Sequence, residues 1–267
     1  MSAIDQTFAD LRRRGRKAFL PFVTAGDPDL ETTTEVIRAL ARCGASITEI
    51  GVPYSDPIAD GPVIQASYQR ALQNGFRLPQ LFDLGTRLST ELTMPMVTMT
   101  SYSIIHRTGM SRYVELAQAA GYAGAIVPDL LVEEAESLAA VCRQADFSLI
   151  QLVTPTTPRE RQVRIAELSS GFLYFVSVTG ITGERSQMPP GLLDNVAWLR
   201  EQTELPICIG FGISSAETAK TLAEAADGVI VGSAIVRRIA QADSRQAAVD
   251  SVAEFAREIV AAIGGTD

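Results

Sequence analysis

The 267 residues contain one histidine, His106, and three cysteines, Cys43, Cys142 and Cys208. A lone imidazole excludes a multi-histidine metal site and leaves no ready partner for a Ser-His-Asp arrangement. The cysteines are odd in number and far apart, with no Cys-x-x-Cys pair, so neither a zinc site nor a disulfide framework is indicated. Long basic runs are missing too. The longest is Arg12-Arg13-Arg14, in a chain with 23 basic against 31 acidic residues and a net charge of −8. Such a balance argues against nucleic acid as a partner. No run of eighteen apolar residues occurs, and the first fifteen residues have no apolar core of a signal sequence. A soluble, cytoplasmic chain with no membrane contact is therefore expected. Proline and glycine do not cluster into linkers, so residues 1–267 read as one domain.

Short apolar runs alternate with amphipathic stretches from end to end. Strands are predicted at 18–23, 47–51, 95–100, 124–128, 147–153, 171–178, 206–210 and 228–232. Helices are predicted near 29–43, 62–73, 78–91, 111–120, 132–144, 158–168, 191–203, 215–224 and 233–262, with an extra one over 4–15. The strand runs are rich in Val, Ile, Phe and Tyr and lack strict polar alternation, as in strands buried on both faces. Eight such strands with helical crossovers point to an α/β fold, a (β/α)8 TIM barrel with an extra N-terminal helix; a doubly wound open sheet is the alternative. Pro21 sits awkwardly inside the first strand, because proline cannot donate to a ladder.

Barrel enzymes place their chemistry where strands end and βα loops begin. At that end of the second strand stands Glu49. Burying a carboxylate there is unfavourable unless it is paired or partly neutral. It is either satisfied by a neighbouring donor or is an acid–base group with a raised pKa. Two aspartates follow in Pro53-Tyr54-Ser55-Asp56-Pro57-Ile58-Ala59-Asp60-Gly61-Pro62. Asp56 suits a turn, and Asp60 is open between catalysis and capping the next helix. Gly180-Ile181-Thr182-Gly183, Gly210-Phe211-Gly212-Ile213-Ser214 and Gly232-Ser233 follow the last three strands. The last two lead into helices, where free amides favour an anion such as phosphate.

These segments, with Pro21-Phe22-Val23-Thr24-Ala25-Gly26-Asp27-Pro28, Val176-Ser177-Val178-Thr179 and Gly232-Ser233-Ala234-Ile235-Val236, resemble the tryptophan synthase alpha subunit family along nearly the whole chain. The resemblance implies a lyase needing no metal or cofactor, which cleaves indole-3-glycerol phosphate to indole and glyceraldehyde 3-phosphate. Glu49 would be its acid–base residue and Asp60 the partner. Tyr174 would lie beside Glu49, and Phe22, Tyr102, Val127 and Phe211 would line the indole pocket. Gly183, Gly212, Gly232 and Ser233 would hold phosphate, and Thr182 would help close loop 179–191 over it. The expected partner is a tryptophan synthase beta subunit in an α2β2 complex, facing Asp56 and its loop. A stand-alone lyase, or a weakly active barrel that mainly activates a beta subunit, are the alternatives. One departure concerns that partner side. Where the family usually has Asn-Pro after an aromatic, this chain has Ser103-Ile104 after Tyr102, and His106 falls in the same segment as a loop or interface residue.

Overall fold

The apolar runs become strands because both of their faces find apolar cover. In a computed structural model, which describes residues 2–58, 60–176, 191–210 and 212–264, they are all parallel. The strands are β1 (Ala18–Thr24), β2 (Thr48–Gly51), β3 (Met96–Met99), β4 (Tyr122–Ile126), β5 (Ser148–Ile150), β6 (Leu152–Val153), β7 (Leu173–Val176), β8 (Ile207–Gly210) and β9 (Gly228–Val231). Their hydrogen-bonded order is β5-β4-β3-β2-β1-β9-β8-β7-β6. β5 and β6 are two halves of the run predicted at 147–153. β4 pairs with the first half and β7 with the second, so the cylinder closes through the backbone at Gln151. The result is the expected eightfold barrel with its fifth strand interrupted.

Pro21 fits for a local reason. β1 pairs with β9 from Ala18 to Pro21 and with β2 from Phe22 to Thr24, so the proline stands where pairing passes from one neighbour to the other.

Side chains alternate between two apolar clusters, as a strand period of two requires. Leu20, Phe22, Ile47, Val97, Met99, Ile126, Ile150, Cys208 and Ile230 fill the inside of the barrel. Phe19, Val23, Ile50, Leu149, Phe175, Ile209 and Val229 face the outer helices. The predicted extra helix runs Ala3–Arg13, started by a capping box between Ser2 and Asp5. Its Ile4 and Phe8 join the inner cluster, with Phe8 5.8 Å from Phe172 ring to ring. This closes the end of the barrel where the strands begin and leaves the opposite end for chemistry.

Two helical regions differ from expectation. The pattern over 233–262 divides into Ser233–Gln241 and Arg245–Ala262, because Ser244 caps a new helix start by accepting from the Ala247 amide. The segment after β3 is not a loop. Tyr102–Thr108 is a helix with Ser101 as its N-cap, ended by Gly109 at φ 89°, which leads into Met110–Ala119.

Candidate active site

Glu49 lies in β2, paired in register with Phe22 of β1 and Val97 of β3. It is fully buried, and neither carboxyl oxygen has a hydrogen-bond partner among the described residues. A structural glutamate would have a donor at hydrogen-bond distance, and among the described residues none stands there. Burial alone pushes this carboxyl well above the ordinary carboxylate range, which favours its protonated form.

The groups around it are held by close packing. A Cβ on Gly51 would lie 2.4 Å from the Phe22 ring and 2.8 Å from the Tyr68 hydroxyl, so glycine is what lets both rings approach the end of β2. A Cβ on Gly210 would lie 2.5 Å from the Tyr174 ring, and the same reasoning fixes Tyr174 over the end of β8. Phe22 also abuts Gly232, whose Cβ position is 3.6 Å from the Phe22 Cβ.

Asp60 does not cap the helix Pro62–Gln73. Gly61 takes the N-cap position, with no side-chain cap bond, and Pro62 opens the helix. The Asp60 backbone is fixed instead, its amide donating to the Pro57 carbonyl at 3.1 Å and its carbonyl accepting from the Gln65 side-chain amide at 2.8 Å. Its carboxyl is raised from the ordinary value to about 6, first by burial and then by the negative charge of Asp129. Burial raises the Tyr68 and Tyr174 phenols well above their ordinary range, and the neighbouring Asp60 and Glu49 carboxyls add to the shift. Both carboxyl groups therefore bear on the same two phenols.

Asp56 adopts its turn. Its carbonyl accepts from the Ile58 amide at 2.8 Å and its carboxylate from the Ser55 hydroxyl. Tyr102 is the first residue of its helix, partly buried, with its ring 5.9 Å from that of exposed His106. Val127 packs in the outer cluster, and the inward-facing neighbour is Ile126. Gly232 caps Ser233–Gln241, its carbonyl accepting from Ile235 and Val236. The first amides of that helix lack intrahelical acceptors and face outward at the helix start. Gly212 follows β8 and leads to Ser215, the N-cap of Ala216–Ala225. Thr182, Gly183 and Phe211, with the rest of loop 179–190, lie outside the described residues.

A buried carboxyl with no partner among the described residues, a second one raised to about 6 and a glycine-capped helix start now stand at one end of a parallel barrel. A profile of the tryptophan synthase alpha chain family matches residues 8–264. The chain belongs to the tryptophan synthase alpha chain family. The tryptophan synthase alpha chain of Rhodopirellula baltica is 62% identical over 263 residues, covering 97% of this chain and 95% of that one. That of Gloeobacter violaceus is 46% identical, covering 96% and 93%. Among solved structures, tryptophan synthase subunit alpha from Legionella pneumophila superposes with a TM-score of 0.92 at 32% identity, covering both chains fully. A tryptophan synthase structure from Mycobacterium tuberculosis gives 0.90 at 32% identity, covering 98% of each chain.

Sequence reasoning missed one member of the site. Asp129, in the turn after β4, accepts from the Ser101 hydroxyl and from the Tyr102 amide, both at 2.7 Å, and is the charge that bears on Asp60. The signal was available: an acidic residue just beyond a strand end is the same criterion that selected Glu49 and Asp60.

Proposed function

We propose that this alpha chain cleaves indole-3-glycerol phosphate to indole and glyceraldehyde 3-phosphate in tryptophan biosynthesis, with Glu49 and Asp60 as its catalytic pair. The observation that carries the assignment of roles is Glu49, a fully buried carboxyl at the mouth of the barrel with no hydrogen-bond partner among the described residues. Held protonated, it delivers its proton to indole C3. The ring nitrogen then carries the positive charge, and ionised Asp60 accepts the N–H and stabilises it. The side-chain hydroxyl next to C3 loses its proton, its oxygen becomes the aldehyde carbonyl, and the carbon–carbon bond breaks. The bonding pair returns to C3 and the indole nitrogen, restoring the aromatic ring. Glu49, left ionised by the first step, is the base that takes the hydroxyl proton, so the pair ends the cycle as it began.

Phe22 and Tyr174 pack beside the reacting ring, with Tyr102 near the entrance. Phosphate is held by the amides at Gly232-Ser233 and, on the family pattern, at Gly183 and Gly212, with Thr182 closing the loop. Phe211 on the same pattern completes the indole pocket. Ser233→Asp separates this role from a structural one. An acidic residue in a first helical turn favours the helix, so stability is expected to hold or rise. The same charge repels phosphate, and KM is expected to rise by about tenfold or more with a smaller change in kcat. Steady-state kinetics and a thermal melt on one preparation check both; an unchanged KM removes the phosphate from this helix start.

The partner proposed is a tryptophan synthase beta subunit in an α2β2 complex. Loop 52–61 supports this, with a groove of about 590 Å³ between Tyr54, Ile58 and Gln69. Two large apolar side chains stand exposed nearby in the chain's βα turns, Ile58 at 88% and Leu131 at 57%. Exposed apolar groups on loops at the active end are what a docking partner covers. We read residues 1–267 as one domain working in the cytoplasm; among the described residues no helix is long and apolar enough to cross a membrane. Indole release from indole-3-glycerol phosphate, measured with and without a beta subunit, tests the whole reading. Turnover stimulated by the beta subunit is expected, and no turnover in either case overturns the assignment.

A further inference from the structure

Between β3 and β4 the chain has built a cluster that the reaction as described does not use. The Asp129 carboxylate accepts from the Ser101 hydroxyl and the Tyr102 backbone amide, one on each oxygen, at 2.7 Å. The Ser101 hydroxyl also lies 2.8 Å from that of Ser103 and accepts from the Ser103 amide at 3.2 Å. Ser103 is the first residue of the Ser103-Ile104 pair that stands where the family resemblance expects Asn-Pro. The turn after β4 is thereby bolted to the first turn of the helix Tyr102–Thr108, and the charge of Asp129 bears on Asp60.

We propose that Asp129 is a positioning residue of this site, which clamps the start of the Tyr102–Thr108 helix, and with it Tyr102, and presents its charge to Asp60. The inference rests on the proposed roles of Asp60 and Tyr102 in substrate binding and turnover. The ionisable groups facing Asp60 are Asp129 from the turn after β4, Tyr54 from its own loop, Tyr68 from the helix Pro62–Gln73 and Tyr174 from β7. All three phenols are pushed above their ordinary value, largely by burial, so they are neutral at working pH and contribute no charge of their own. Glu49 bears on Tyr68 and Tyr174 together with Asp60, and burial favours its own protonated form. Among the described residues Asp129 is the carboxylate whose charge opposes ionisation of Asp60, whose value of about 6 owes most to burial.

Three substitutions in the full chain, assayed with a beta subunit, separate the clamp from the charge. Asp129→Asn keeps an acceptor for one of the two donors and removes the charge. The acid limb of kcat/KM against pH is expected to move to lower pH by about half a unit or more, because Asp60 then ionises more readily. Asp129→Glu retains the charge and should return the limb to its wild-type position. Ser101→Ala loosens the clamp without touching the charge, and should raise KM while leaving the limb in place. A folded Asp129→Asn chain whose acid limb stays put overturns the charge role, and an unchanged KM in Ser101→Ala overturns the clamp, even where Asp129→Asn does not fold. Carbon-13 titration of the Asp60 carboxyl in wild type and Asp129→Asn reads the coupling without substrate. A wild-type chain that releases no indole therefore defeats the proposed function while this measurement still decides the inference.

Discussion

Glu49→Gln is expected to lower indole release by about 10²–10⁴-fold, the usual worth of a positioned acid–base group, and at the same time to raise the melting temperature at pH 8. The two effects have one cause. The Glu49 carboxyl is buried with no partner among the described residues, and burial holds its folded-state pKa well above its value in the unfolded chain, ~4.3. Between those two values the folded protein holds a proton that the unfolded chain has released. Unfolding is then favoured as pH rises, by about 1.4 kcal/mol for each unit spanned. Glutamine keeps the shape and does not titrate, so this loss disappears in the variant. The gain over wild type should be largest at alkaline pH and shrink towards nothing near pH 4. Each kcal/mol corresponds to roughly 2–4 °C in a chain somewhat smaller than this one. Melts at a series of pH values, with indole release on the same samples, check it. An active variant removes Glu49 from the mechanism, and a variant with no alkaline gain means the carboxyl is satisfied in the folded chain.

A carboxyl in the barrel mouth stands out in the sequence for a physical reason. An ionisable group in Ile47-Thr48-Glu49-Ile50-Gly51 contradicts its apolar surroundings, and local contradictions of this kind concentrate at functional sites. The barrel was legible for the complementary reason: strands covered on both faces read as unbroken apolar runs, and the eight runs all fall on strands. What stayed hidden depends on contacts between distant segments. The break at Gln151 follows from the change of partner strand from β4 to β7, which no local pattern encodes. The helix Tyr102–Thr108 is short, and the side chain that braces its first turn, Asp129, is supplied from the next βα turn. Its ends were marked all the same, by Ser101 before it and Gly109 after it. Val127 shows the opposite limit. Family pattern nominated it for the pocket, whereas the alternation along β4 turns Ile126 inward and packs Val127 in the outer cluster.

For Asp60 the sequence left two roles open, and the two predict different results for Asp60→Asn. A helix cap lost to asparagine costs little, since asparagine caps as well as aspartate, and kcat/KM would stay near wild type. The structure assigns the cap position to Gly61, and burial raises the Asp60 carboxyl above its ordinary value. On the proposed mechanism the carboxylate stabilises positive charge at the indole nitrogen, and an amide cannot. A loss of about 10²-fold or more in kcat/KM is expected, with substrate affinity changed far less. The pH profile adds a second signature. The wild-type rate should rise as pH increases through about 6, because Asp60 must be ionised to work and burial with the Asp129 charge holds its carboxyl there. In Asp60→Asn that limb should vanish, leaving a low rate that is flat across this range. A near-wild-type rate would return Asp60 to a role in loop geometry, and a surviving limb at 6 would assign the titration to another group. Glu49, whose carboxyl burial raises well above the ordinary range and which acts in its protonated form on this mechanism, should instead govern the alkaline side. On the proposed mechanism two carboxyl groups one loop apart work in opposite protonation states, one giving a proton while the other receives a charge.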